Sequence, residues 1–158
     1  MPTPPKAGDQ VLVLRVADDS FALPLWRVRE VVAGPHITRL PTVPSPVVGM
    51  FNLRGELVPA FDPSPLLDTP RQLPDPTRPP FVVVVDTEEG PAGLVAETLP
   101  SVAVLGRELT AIDAPHALAV HAIRQSAVAV IDPGALLSGI AGPTTAAATL
   151  SPHRSPGP

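Results

Sequence analysis

Apolar residues along this chain come in short blocks of four to seven, each cut off by a small group of turn-forming residues. Residues 11–16 and 21–25 are aliphatic or aromatic runs split by Asp18-Asp19-Ser20, whose acidic and hydroxyl side chains suit a tight turn, so the pattern predicts a hairpin. Leu25, Val28, Val31 and Val32 then fall at helical spacing with Arg27, Arg29 and Glu30 on the other side, and Gly34-Pro35 ends the run. That spacing predicts at most a short helix. Residues 47–53 and 57–61 predict a second hairpin, turning at Arg54-Gly55-Glu56, where the glycine can take positive φ. Residues 81–85 and 92–95 predict a third around Glu88-Glu89-Gly90, and residues 127–131 a last strand that runs into Asp132-Pro133.

Sliding the chain on itself by 70 residues lays 11–16 on 81–86, Asp18-Asp19 on Glu88-Glu89, and 58–67 on 128–137. In each copy a strand ends at an aspartate (Asp62, Asp132) able to cap a helix, with proline (Pro63, Pro133) at the first helical position, which predicts a short helix after each. The ends of the two halves match and the middles do not. A duplication with four or five short strands per half predicts an all-β protein of two small closed barrels.

Composition supports this reading. The 24 prolines and 11 glycines favour short strands and sharp turns over long helices. Residues 1–9 and 141–158 are dense in Pro, Gly, Ser, Thr and Ala, poor in large apolar side chains, and are expected to be disordered, while residues 68–80 read as a proline-rich connector. The first barrel is expected over roughly 11–67 and the second over 81–140, with exchange of strands between them left open. With 11 Lys+Arg against 15 Asp+Glu there is no basic field to track nucleic acid or an anionic bilayer, and no apolar run is long enough for a membrane helix. The absence of cysteine removes disulfides and thiolate chemistry, and the chain reads as cytoplasmic.

Catalytic constellations are missing. His36, His116, His121 and His153 are scattered without metal-ligand spacing and read as exposed loop residues. There is no G-x-S-x-G elbow and no phosphate-binding glycine motif, and Lys6 is the sole lysine. The acidic pairs sit at hairpin tips, in water, with nothing to raise a pKa. Hence no cofactor, metal or enzymatic activity is expected. Trp26, next to Arg27, reads either as a packed side chain, the more common role, or as a partly exposed anchor for a protein partner. Asn52, Arg54 and Gly55 stand at a turn between apolar strands, and spacing alone does not separate a structural role from a functional one.

Asn52-Leu53-Arg54-Gly55, followed by Val58-Pro59 and Asp62, resembles the N-L-R-G signature of CheW-like domains. The Phe-Ala-Leu-Pro-Leu run at 21–25, the Val28-Arg29-Glu30-Val31 stretch, the Gly93-to-Leu99 run and the closing 127–137 segment resemble further parts of that family, over residues 10–140 in outline. The resemblance implies two SH3-like five-stranded β-barrels packed side by side. It also implies a non-catalytic adaptor that couples the cytoplasmic signalling tip of a chemoreceptor to the CheW-like regulatory domain of a histidine kinase, at membrane-associated arrays and without membrane insertion. Carried over by position, Val28, Glu30, Asn52 and Arg54 would face a partner, with Trp26 beside them. Two positions depart from the family: Asp62-Pro63-Ser64 stands where D-L-R is common, and Glu97 where an aspartate is usual. They leave room for a divergent scaffold serving another output or competing with an ordinary coupling protein.

Overall fold

A computed structural model describes residues 4–41, 46–70, 77–110 and 116–138. The expectation for 141–158 and that for much of the connector, 71–76, lie outside the described residues. The strands in chain order are β1 (Gln10–Val16), β2 (Asp19–Pro24), β3 (Val28–Ala33), β4 (Ile37–Arg39), β5 (Val47–Leu53) and β6 (Glu56–Phe61), then β7 (Phe81–Thr87), β8 (Gly90–Ala96), β9 (Ser101–Val104), β10 (Glu108–Thr110), β11 (Ala117–Ile123) and β12 (Ser126–Ile131).

They form two six-stranded sheets rather than two five-stranded closed barrels. The first runs β10-β11-β12-β2-β1-β9 and the second β3-β7-β8-β6-β5-β4. Each is curled but open, for a covalent reason. In the first sheet the chain passes from edge strand β9 to the opposite edge β10 through residues 105–107 alone, a reach of about 10 Å. Leu105 N donates to Asp9 O at 2.9 Å on one side of this seam, and Gly106 N donates to Ala122 O at 2.7 Å on the other. A backbone segment, not a strand ladder, bridges the gap. Residues 34–36 do the same between β3 and β4 of the second sheet.

Neither sheet is a contiguous half of the chain. The β1–β2 hairpin leaves its own half to pair with β9 and β12, and the β7–β8 hairpin pairs with β3 and β6. The two parallel contacts, β12 with β2 and β6 with β8, are where each guest hairpin joins its host. This exchange explains why β1 and β7 are apolar on both faces. Val82 and Val84 point into the curl of the second sheet beside Phe51 and Val58, while Val83 and Val85 join Leu12, Leu14, Val16 and Leu23 of the other sheet in a shared central core. Val11 points instead into the curl of the first sheet, with Ala22, Ala103, Leu105 and Val130.

The duplication is visible in the fold with a one-residue slip. Gln10 falls on Phe81 and Val16 on Thr87, a displacement of 71, whereas Val47–Leu53 falls on Ala117–Ile123 at 70, because the β4–β5 loop is one residue longer than the β10–β11 loop. A single displacement of 70 therefore registers β5 and β6 on β11 and β12 and sets the strands before them one residue out; 11–16 still lies well on 81–86 because both are continuous apolar runs.

The helix expected from Leu25 to Val32 is instead a 3-10 turn, Leu25–Arg27, followed by β3. The register of β3 on β7 shifts between Val28 and Glu30, and that bulge places Val28 and Val31 on the same face of a strand, imitating helical spacing. After Asp62 the chain makes turns and no helix. Leu66 N and Leu67 N both donate to Pro63 O at 3.0 Å, and the Asp62 carboxylate accepts from Ser64 N at 3.0 Å and Ser64 Oγ at 2.6 Å. After Asp132, residues 133–138 take helical turns, with Leu136 N donating to Asp132 O at 2.9 Å.

Candidate functional site

The Arg54-Gly55 turn joins β5 to β6 with both residues at positive φ, 50° and 91°, the geometry of a two-residue hairpin turn that follows the natural strand twist. Gly55 carries it without a Cβ penalty. Asn52 Oδ1 accepts from Gly55 N at 2.9 Å, so the asparagine side chain closes the turn. The backbone thus holds Arg54 outward, and its guanidinium lies across the Glu30 carboxylate of β3 in a two-pronged pair, with Nη1 to Oε1 at 3.1 Å and a second bond from Nη2 to Oε2.

A second pair runs between the same segments with reversed sign. Arg29 of β3 stands 3.7 Å from Glu56 and donates to Asp86 Oδ1 at 2.6 Å. Segments 28–30 and 54–56 are therefore cross-stapled at the surface. Arg54 holds the Glu30 carboxyl below the ordinary glutamate value of 4.5, chiefly through the hydrogen bond and then through its charge, and the same bond raises Arg54.

Of the other residues singled out in the sequence, Val28 packs half-buried against the shared core and supplies the floor at this edge. Trp26 is 53% exposed on the 3-10 turn just ahead of β3, so the packed reading of Trp26 does not hold. The structure brings Glu30 and Arg54 into contact, sets Asn52 beneath them, and places Val28 and Trp26 on the adjoining segment, outside the ion pair.

Arg27, placed by the sequence only on the polar side of a short helix, has a structural partner that its local pattern does not show. It donates to Asp132 Oδ1 at 3.1 Å and to Asp86 O at 3.3 Å, tying the segment that leads into β3 to the end of β12 in the other sheet. The partners are 105 positions apart, and nothing in local pattern links them. His121 is also not the exposed loop residue expected: it lies inside β11 and is 1% exposed. Among the described residues no group of three or more His, Asp or Glu could hold a metal ion, and no helix is long and apolar enough to cross a membrane.

The CheW-like domain family matches residues 10–141. The chain belongs to that family. Among curated proteins it is similar to the chemotaxis protein CheW of Rhizobium meliloti (28% identical over 92 residues, 58% of each chain). It is similar also to the protein of that name from Helicobacter pylori (39% over 44 residues, 28% of this chain and 27% of the relative). A probable CheW of Rhizobium etli is 26% identical over 103 residues, 65% of each. The matched stretches thus span less than two thirds of these relatives. In fold, the chain is similar to the crystal structure of the scaffolding protein TtCheW from Thermoanaerobacter tengcongensis, with a TM-score of 0.70 and 21% identity over 82% of this chain and 92% of that one.

Proposed function

We propose that the chain is a non-catalytic adaptor that couples chemoreceptor signalling tips to a CheA-type histidine kinase, in the cytoplasm at membrane-associated receptor arrays. The observation that carries this reading is the rigid presentation of the signature turn. Arg54 is aimed outward by a positive-φ turn, braced by Asn52, and locked onto Glu30 beside Val28 and the exposed Trp26. A surface of this kind offers preset charge and an aromatic anchor, and affinity for a protein partner arises from such preorganised features with no bond made or broken.

The test is co-purification of the chain with helices from a receptor signalling tip, and separately with a kinase CheW-like domain. Arg54→Ala is expected to lose at least one of the two partners at least tenfold while its thermal melt stays that of the wild type. Both side chains of the pair are solvent-facing, and surface pairs of this kind carry little stability. Arg54→Lys, which keeps the charge and loses the two-pronged geometry, should fall between them. Full binding by a folded Arg54→Ala variant to both partners would refute the proposal.

A further inference from the structure

His121 occupies a position that its repeat fills with a purely apolar ring. At the displacement of 70 that relates β11 to β5, His121 falls on Phe51, which is 2% exposed in the interior of the second sheet. The swap is matched by a second one. Phe51 fits because it faces Gly93, where a Cβ would meet its Cε1 at 2.8 Å. The counterpart of Gly93 at the hairpin displacement of 71 is Ala22, so the repeat with the smaller imidazole carries a methyl where the other carries none.

Among the described residues the ring is bonded on one side only. Its Nδ1 lies 2.9 Å from the carbonyl oxygen of Gly106, in the seam between β9 and β10. A carbonyl has no proton to give, so Nδ1 carries the hydrogen and, in the neutral ring, Nε2 is a bare lone pair. That lone pair has no hydrogen-bond partner among the described residues. The Oε2 atom of Glu108, the cross-strand neighbour of His121 on β10, stands 4.0 Å from it. Two acceptors face each other with no proton between them, and one proton on Nε2 converts the pair into a donor facing a carboxylate. The other surroundings are poor in charge. β12 carries no ionisable residue, β10 only Glu108, the seam only Arg107 and the β11–β12 turn only Arg124. The β1–β2 hairpin holds Arg15, Asp18 and Asp19 at its exposed tip.

We propose that His121 is a proton-operated bolt on the seam of the first sheet: neutral, it grips only Gly106, and protonated at Nε2 it also engages Glu108 and fastens edge strand β10. The seam passes too close to β11 for any residue but glycine, since a Cβ on Gly106 would meet Ala122 O at 2.7 Å, so the ring bridges a gap that backbone contact has already narrowed. The second sheet, with Phe51 at this place, has no such proton dependence.

The experiment is heteronuclear NMR of the His121 ring and amide exchange of Gly106, whose N–H donates to Ala122 O across the seam. At pH 8 the ring is expected as the Nδ1–H tautomer. The sample is then acidified to pH 5.5, and double protonation of the ring is expected to come together with an at least threefold slowing of exchange at Gly106, corrected for intrinsic rate; protonation without that slowing, or a ring that stays neutral throughout, would overturn the proposal. Glu108→Gln, whose amide donates to the bare Nε2, should give slow exchange at both pH values. His121→Phe with Ala22→Gly, which copies the second sheet, should fold and lose the pH response. An Nε2–H tautomer at pH 8, or a pH course of exchange that is the same in wild type and Glu108→Gln, would overturn the proposal.

Discussion

Removing the Arg27 guanidinium should loosen the junction between the sheets, and the size of the effect can be worked out from its contacts. In Arg27→Ala, Asp132 keeps the bond from Gly134 N at 3.0 Å and loses its charged partner, and Asp86 O loses a donor. Hydrogen bonds to charged groups contribute about 1.5–3 kcal/mol each. The Arg27 side chain is 25% exposed and its contact with Asp86 O is long, so solvent screening reduces the total to about 2 kcal/mol. For a chain of this size that corresponds to a fall in Tm of roughly 4–8 °C. Gly134 supplies the control. A Cβ there would meet Arg27 Nη2 at 2.6 Å, so Gly134→Ala displaces the guanidinium in the wild type and destabilises it. Once Arg27 is gone the same alanine meets no such obstacle and, lying in helical turns, gains up to about 1 kcal/mol over glycine. Urea denaturation of the two single variants and the double variant should therefore show Gly134→Ala changing sign with background. Equal effects in both backgrounds, or a loss below about 0.5 kcal/mol for Arg27→Ala, would refute the clamp.

Gly93→Ala should cost about 1–3 kcal/mol by overpacking, because its Cβ would meet Val82 Cγ1 at 2.5 Å as well as Phe51; a urea midpoint equal to that of the wild type would contradict the packing described. Placing arginine at position 64, as the family pattern has it, should destabilise by several kcal/mol and not restore any contact, since Ser64 is 0% exposed and binds Asp62; circular dichroism on heating reads this directly. The Arg54–Glu30 pair should be insensitive to pH above the ordinary glutamate range. Because the folded carboxyl titrates below 4.5, the contribution of the pair is present above that value and is lost as pH falls through the lower one. Partner binding should then be flat from pH 8 to about 5, and Glu30→Gln should remove any acid limb seen in a binding titration.

The strands flanked by strong turn signals were readable in advance: both strands of the first, second and third hairpins, and β12. Strands β4, β9 and β10 were not. They have three or four residues, lie at sheet edges, and face water at most positions, so they carry neither a long apolar run nor alternation. β11 reads Ala-Leu-Ala-Val-His-Ala-Ile, and its small side chains have little β preference of their own; burial against β12 decides it. A bulge disguised β3 as a helix, and a one-residue difference in loop length put the strands before β5 one position out of the repeat's register. At the site, the signature turn was evident from Asn52 to Gly55, but the ionic partner of Arg54 was not, since only the curl of the second sheet brings Glu30 within reach. His121 reads as an exposed loop residue and is interior, because a lone His among small apolar residues gives no sign of which nitrogen will find a partner.

The traded hairpins bear on synthesis at the ribosome. β1 and β2 emerge first, yet their neighbours β9 and β12 begin only at Ser101 and Ser126. At about 5–20 residues per second, the N-terminal hairpin waits roughly 5–20 s with its apolar faces uncovered. The second sheet is complete once Ala96 has appeared, so it can nucleate the molecule and hold the early hairpin against its flank until the late strands arrive. Severing the chain between Phe61 and Phe81 would leave each fragment with one guest hairpin and part of a host, so the two pieces should regain structure only when mixed.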